Sequence, residues 1–248
     1  MKQLIIVLIL TLLPGLSLAA GAGRYPLDHA PINPDNKASL QRGAKLFVNY
    51  CLGCHSAAYQ RYNRLARDID LTDEQVAQNL ILTPDTKVGD TMQNAMRKED
   101  AKRWFGAPPP DLSLIARSRG VDYLYTYLRT FYVDESRPFG VNNAAFPSVG
   151  MPHVLWELQG WQKPIYDSAA DDHGTGKKEI VGFELVDPGA LTPVEFDAAM
   201  TDLVNFLAYI AEPIKQQRKS IGVWVLFYLI ITFVVFYFLK QEYWKDVH

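Results

Sequence analysis

The chain has 248 residues, of which 48% are hydrophobic, and its formal net charge at pH 7 is -2. This length accommodates one medium-sized domain or two small ones. The nearly balanced charge gives no reason to expect nucleic acid as a partner. The long apolar runs lie at the two ends of the chain.

Residues 1–22 have the features of a secretory signal peptide. Lys2 provides the positive n-region, residues 4–13 form a short apolar h-region, and the small residues at 19–23 offer cleavage sites. The alternative is an uncleaved anchor, but the apolar run is shorter than the ~20 residues that a membrane-spanning helix needs. We therefore predict that residues 1–22 direct export and are removed, with the cleavage bond left open.

A helix is predicted to begin after an N-cap at Asp35 or Asn36. Apolar residues then recur at helical spacing at Leu40, Ala44, Phe47, Val48 and Cys51. This helix leads directly into Cys51-Leu52-Gly53-Cys54-His55, which has the CxxCH spacing of a c-type haem attachment site. A helix in this position is expected of a cytochrome c fold, where it packs against the final helix.

The CxxCH motif predicts one covalently attached haem c per chain. Cys51 and Cys54 would form the thioethers and His55 would be the proximal ligand of the iron. A structural zinc site needs four ligands, and the chain has no further cysteine. A thioredoxin-like pair would not need a histidine directly after it. Export agrees with haem attachment, which takes place in the periplasm or an equivalent compartment.

Residues 104–114, with the sequence WFGAPPPDLSL, are predicted to form a rigid loop. Its prolines cannot donate backbone hydrogen bonds, but their carbonyls can accept one. A ligating histidine usually donates its second ring N–H to such a carbonyl. The loop therefore either supports His55 or is a simple linker. A helical stripe follows at Val121, Leu124, Leu128 and Phe131, with tyrosines that are typical of a core wall.

The sixth ligand of the iron separates electron carriers from haem enzymes, and a methionine closes the iron to substrates. The candidates are Met92, Met96, Met151, Met200 and His153. Met200 lies on the predicted core face of the last helix, and Met92 and Met96 occur in a polar stretch. Met151 lies in a loop between Gly150 and Pro152, where the backbone is fixed and can approach the haem. We therefore favour Met151.

Two strand-like segments, 154–161 and 178–185, flank a polar acidic stretch at 167–176 and predict a surface hairpin or flap. Thr192-Pro193-Val194-Glu195 is a capping box with proline at the first helical position. It begins a helix that Pro213 ends or kinks. Residues 221–239 carry no charge and are long enough to cross a bilayer. The predicted fold is mainly α: a cytochrome c-like haem domain with a small β hairpin, and one C-terminal transmembrane helix.

These segments predict a single-pass protein of the bacterial inner membrane. The haem domain, residues 23–213, would lie in the periplasm, because the signal peptide exports it and the apolar span stops transfer. Residues 214–220 form a juxtamembrane segment, 221–239 the span, and 240–248 a cytoplasmic tail. Basic residues flank both sides of the span, so the positive-inside rule alone does not decide the orientation.

The chain resembles cytochrome c1, the haem subunit of the cytochrome bc1 complex, of the proteobacterial kind. The resemblance rests on the CxxCH motif, on Pro109-Pro110-Asp111-Leu112-Ser113, on Gly150-Met151-Pro152, and on the order of signal peptide, haem domain and anchor. It implies axial ligation by His55 and Met151, with the Pro110 loop beside the haem. It also implies Arg119 at a haem propionate and Tyr123 beside the ring, with Arg117 as a rival for Arg119.

The resemblance implies a one-electron carrier in a ubiquinol:cytochrome c oxidoreductase. Its partners would be cytochrome b, the Rieske iron–sulfur protein as donor, a soluble or membrane-attached cytochrome c as acceptor, and membrane lipid. Asp167, Asp171 and Asp172 either steer a basic cytochrome c or form a solvated loop. The alternatives are another anchored monohaem cytochrome c, or a haem enzyme in which the Met151 bond is absent or labile.

Overall fold

The computed structural model describes residues 25–167 and 179–246. The predicted signal peptide and most of the acidic stretch of the flap, including Asp171 and Asp172, lie outside these residues. The helices are α1 Lys37–Leu46, α2 Tyr62–Asp68, α3 Asp73–Asn79, α4 Lys98–Phe105, α5 Ile115–Arg119, α6 Val121–Arg129, α7 Trp156–Gln159, α8 Pro193–Ala211 and α9 Lys215–Tyr243. The strands are β1 Ala57–Arg61, β2 Thr91–Met92, β3 Phe131–Val133, β4 Val141–Asn143, β5 Gly160–Tyr166 and β6 Ile180–Pro188.

Helices α1 and α8 cross at the centre of the core, as the sequence predicts. The Asn36 side chain caps α1 by accepting a hydrogen bond from the Ser39 backbone. On α8 the capping box of Thr192 and Glu195 is formed. The Phe47 and Phe206 rings pack with their centroids 5.4 Å apart, and both side chains are fully buried. This apolar crossing fixes the segment that carries the cysteines.

Three short antiparallel strand pairs complete the haem domain: β1 with β2, β3 with β4, and β5 with β6. The β5–β6 pair is the predicted hairpin, and its register runs from Gly160 opposite Pro188 to Tyr166 opposite Ile180. Helices predominate over these strands. The predicted fold class, mainly α with a small β hairpin and a C-terminal helix, is therefore confirmed.

One predicted strand boundary is wrong. Residues 154–161 read as a strand, but Trp156–Gln159 form a short helix and β5 starts only at Gly160. Gly160 has φ +86°, and a side chain there would collide with the backbone of Asp187 and Gly189. The apolar run is too short for its periodicity to distinguish a helical turn from a strand, so the glycine sets the boundary.

Helix α9 is one continuous helix, longer at both ends than the predicted span. Residues 217–243 within it have a most apolar window with a mean hydropathy of 2.5. The large apolar side chains between Ile221 and Leu239 are exposed, because no other part of the described chain covers them. Within the described residues this is the one helix long and apolar enough to cross a membrane. An apolar helix that buries none of its surface in its own domain fits an anchor in lipid.

Candidate haem-binding site

A cleft of about 420 Å³ opens between the α1 end of the domain and the loops that follow β4. Its walls are mainly apolar, and a few polar side chains also line it. The residues selected from the sequence all line it: Cys51, Cys54, His55, Pro110, Arg119, Tyr123 and Met151. The rival residues do not line it: Arg117, Met92, Met96, Met200 and His153.

The end of α1 widens by one π-helical turn before the cysteine loop. Residues Phe47–Cys51 form a single π-helical turn, a local irregularity that is frequent at functional sites. The Cys51 carbonyl then accepts from the backbone N–H groups of Cys54, at 3.0 Å, and His55, at 2.8 Å. One carbonyl therefore holds the second cysteine and the histidine in a fixed relation to the first cysteine.

The two thiols are not set up as a reactive redox pair. Burial raises the pKa of Cys51 to about 12, and it also raises the pKa of Cys54. Redox-active and metal-binding cysteines instead have depressed pKa values, because the thiolate is the reactive form. The raised pKa values therefore do not favour the thiolate that a thioredoxin-like pair would use.

His55 is oriented by the proline loop. Its Nδ1 lies 2.8 Å from the Pro110 carbonyl oxygen. Because a carbonyl only accepts, Nδ1 carries the proton and Nε2 keeps its lone pair. Burial also lowers the pKa of His55, and the Pro110 hydrogen bond opposes this in part. A neutral imidazole with a free Nε2 is the form that ligates iron, and the second-ring hydrogen bond sets its direction.

The proline loop is itself tied to the segment after the cysteines. The Leu112 backbone N–H donates to the Ser56 carbonyl at 2.8 Å. The Asp111 carboxylate accepts from the Ala58 backbone at 2.9 Å and from the Ser113 backbone at 2.8 Å. This loop is therefore not a simple linker. It holds the Pro110 carbonyl against His55.

The other methionines occupy different places from Met151. Met92 and Met200 are fully buried in the core. Met92 lies in β2 opposite Ala57 of β1, although the residues next to it in the sequence are polar. Met96 lines a second, more polar cleft beside Cys54 and the prolines. Among the methionines of the described residues, only Met151 brings a thioether to the cleft that holds His55.

His153 packs away from the cleft. Its ring stacks on Phe131, with centroids 5.0 Å apart and planes 4° apart, and meets Trp161 edge-on at 5.8 Å. Within the described chain, neither ring nitrogen has a hydrogen-bond partner of normal geometry. Burial lowers the pKa of His153 to about 4, and polar groups of Gly160 and Gln159 oppose the shift in part. His153 therefore packs as an aromatic side chain of the core, away from the cleft.

Arg119 and Arg117 point to different surroundings. The Arg119 guanidinium lies 5.9 Å from the Tyr123 ring centroid at the cleft, and no carboxylate of the described chain forms an ion pair with it. Arg117 instead contributes, after the hydrogen bond from Arg218, to lowering the pKa of Glu212. The placement therefore favours Arg119 for a carboxylate bound in the cleft.

Tyr127 is a cleft residue that sequence reasoning missed. Its hydroxyl donates to Met151 Sδ at 3.4 Å, although its place in a tyrosine-rich helix suggested only a core wall. Burial, and then the neighbouring Tyr123, raise its pKa, so the hydroxyl keeps its proton. The sequence gives only a weak signal for this role. The spacing of Tyr123 and Tyr127 places them on one helical face, but it does not connect either of them with residue 151.

Comparison with known proteins agrees with the resemblance to cytochrome c1 that the sequence motifs indicate. The sequence model of the Cytochrome C1 family matches residues 29–160 and 184–247. The chain belongs to the cytochrome c1 family. It is 48% identical over 248 residues to cytochrome c1 of Allochromatium vinosum, covering all of both chains. It is also 48% identical over 222 residues to a protein of Nitrosomonas europaea named ammonia monooxygenase gamma subunit, covering 90% of this chain and 89% of that protein.

A third relative bears on the assembly. A protein of Bradyrhizobium diazoefficiens named cytochrome b/c1 is 27% identical over 250 residues, which cover 88% of this chain and 34% of that protein. The family supports a haem-containing electron-transfer subunit of a cytochrome bc1 complex, with a single C-terminal membrane helix. The unmatched residues 161–183 include most of β5 and the first residues of β6.

The residues of the cleft fit a haem c. An imidazole and a thioether are a recognised axial pair for haem iron, and here His55 and Met151 line one cleft with both cysteines. The surrounding apolar side chains suit a porphyrin, and Arg119 suits a propionate because its planar fork matches a carboxylate.

Proposed function

We propose that the chain is the covalent haem c subunit of a cytochrome bc1 complex, taking electrons from the Rieske protein and passing them to a cytochrome c. The observation that carries the proposal is the convergence of Cys51, Cys54, His55 and Met151 on one cleft. Cys51 and Cys54 would hold one haem by thioethers, and His55 and Met151 would fill both axial positions. When bound, the haem supplies a one-electron Fe(III)/Fe(II) couple.

The remaining cleft residues prepare this site for electron transfer rather than for substrate chemistry. Pro110 fixes the His55 ring, and Met151 closes the position that an external ligand would need. Arg119 and Tyr123 would hold the propionate side. The apolar walls would pack against the porphyrin, so that the protein supplies binding and orientation while the haem supplies the redox chemistry.

The topology that we propose places residues 23–213 in the periplasm and 240–248 in the cytoplasm. Residues 214–220 would be the juxtamembrane segment, and 221–239 the part of α9 within the hydrocarbon. The anchor keeps the haem domain beside cytochrome b. The orientation rests on residues 1–22 acting as a cleaved signal peptide.

Covalent attachment can be tested on denatured protein. Full-length chain from a host with a cytochrome c maturation system is separated in a denaturing gel and stained for haem. One stained band is expected for the native sequence, with weaker staining for Cys51→Ala or Cys54→Ala and none for the double variant. Staining that survives loss of both cysteines would overturn the thioether assignment.

Partners can be tested by purifying the membrane complex through a tag on this chain. Co-purification of cytochrome b and the Rieske protein, together with quinol-dependent reduction of added cytochrome c, would support the proposal.

The relative named ammonia monooxygenase gamma subunit motivates a second candidate, a redox subunit of a monooxygenase. In that case the tag would recover monooxygenase subunits, and no quinol:cytochrome c activity would be found.

A further inference from the structure

The contact between Tyr127 and Met151 carries a consequence for the strength of the axial ligand. The phenol O–H of Tyr127 lies 3.4 Å from Met151 Sδ. A thioether sulfur has two lone pairs: one can bind iron while the other accepts a hydrogen bond. The hydroxyl is therefore placed to act on the sulfur without competing for the metal.

The surrounding rings hold Tyr127 in this position. It stacks on Tyr123 with centroids 6.0 Å apart and meets Phe131 edge-on at 5.2 Å. Its own carbonyl accepts a 2.7 Å hydrogen bond from the Asn143 side chain. Both the ring and the backbone of Tyr127 are thus restrained, so the hydroxyl has little freedom to turn away from Met151.

The rings that pack against Tyr127 also contact the loop that carries Met151. Phe131, which contacts Tyr127, is stacked on His153, and His153 is only two residues beyond Met151. Phe131 also belongs to a buried cluster against which Tyr127 and Met151, the donor and the acceptor of the hydrogen bond, both pack. Neither side chain is therefore free to move and restore the contact if the other one is changed.

We propose that Tyr127 is a positioning residue for the axial methionine: its hydroxyl hydrogen-bonds to Met151 Sδ and tunes both the redox potential and the lability of the iron–sulfur bond. The inference rests on the proposed role of Met151 as a ligand. A hydrogen bond withdraws electron density from sulfur and makes it a weaker donor. Ferric iron depends on that density more than ferrous iron, so the bond favours the reduced state and raises the potential.

The test is Tyr127→Phe in the full-length holoprotein, which removes the hydroxyl and keeps the ring. We expect reduction to become three- to tenfold less favourable, which is about 30–60 mV for a one-electron couple. Because the sulfur becomes a stronger donor, displacement of the methionine from ferric protein by imidazole should need a several-fold higher concentration. Displacement is followed through the methionine–iron charge-transfer band.

Tyr125→Phe is the matched control, because Tyr125 is a buried tyrosine of the same helix that does not line the cleft. Its potential and imidazole titration should match the native protein. If Tyr127→Phe does not accumulate, Tyr127→Leu removes the same hydroxyl and should shift both readouts in the same directions. Unchanged readouts in a folded Tyr127 variant, or an equal shift in Tyr125→Phe, would overturn the inference.

The failure of this inference can be separated from failure of the proposed function. If native protein shows the charge-transfer band and Met151→Leu loses it, Met151 is the ligand whatever Tyr127→Phe does. Unchanged Tyr127 variants would then refute the hydrogen bond alone. If Met151→Leu keeps the band, the ligand assignment itself is wrong and the inference fails with it.

Discussion

Gly43 of α1 lies directly against the backbone carbonyl of Asp202 in α8. A β-carbon at residue 43 would overlap that oxygen and would lie 2.7 Å from the Phe206 β-carbon. Arg42, the preceding residue, makes two hydrogen bonds to the Asp202 carboxylate. The helix that delivers the cysteines is thus locked to the last helix of the domain by a close backbone approach that only glycine permits.

Gly43→Ala is therefore expected to destabilise the haem domain by about 1–3 kcal/mol, since overpacking of a core contact has an effect of this size. Thermal unfolding of the detergent-solubilised protein should show a lower midpoint by several degrees. Gly89→Ala is the control, because nothing lies within 4 Å of a β-carbon there. Equal midpoints for the two variants would show that α1 and α8 can separate without penalty.

The two arginines of α5 give a second prediction. If Arg119 pairs with a haem propionate, its positive charge favours the reduced state, so Arg119→Gln should lower the midpoint potential. The effect should be of the order of 1 kcal/mol, from Coulomb's law at an effective dielectric constant of about 20. Arg117→Gln, outside the cleft, should leave the potential unchanged in the same redox titration. A shift in Arg117→Gln alone would reverse the assignment.

His153 predicts a pH dependence of stability. Its pKa is about 4 in the folded protein and about 6.5 in an unfolded chain. Between these values the unfolded chain binds a proton that the folded chain does not, so stability falls as the pH falls from 6.5 to 4. The loss is of the order of 3 kcal/mol, at 1.36 kcal/mol per pKa unit.

Chemical unfolding of the native protein and of His153→Phe between pH 4 and 7.5 tests this prediction. The variant keeps a flat ring against Phe131 but cannot take up a proton. Its stability should depend less steeply on pH below 6.5 than that of the native protein. Parallel curves for the two proteins would show that His153 does not control the acid limb.

Much of the helical frame could be predicted, because its signals are local. The Asn36 cap, the capping box at Thr192 and the apolar stripe of α8 are each encoded within a few neighbouring residues. The apolar run after Pro213 likewise identifies the anchor by composition alone. Such elements do not depend on what the rest of the chain does.

The rest of the site depends on long-range contacts that no local pattern contains. The sequence indicates His55 and Met151 as haem ligands, but not that the Tyr127 hydroxyl contacts the Met151 sulfur, 24 residues further along the chain. The burial of Met92 could not be predicted, because its neighbours in the sequence are polar and it is buried opposite Ala57, 35 residues earlier in the chain. The helical turn at Trp156 was read as a strand, since the decisive feature is the left-handed backbone of Gly160.

The most direct measurement of the central claim is the optical spectrum of the protein, oxidised and ascorbate-reduced, for the native sequence, Met151→Leu and Met96→Leu. We predict a low-spin c-type spectrum with a methionine–iron charge-transfer band for the native protein and for Met96→Leu. Met151→Leu should lose that band and its reduction by ascorbate. If Met151→Leu keeps both, another methionine ligates the iron, and the assignment of Met151, on which the account rests, is contradicted.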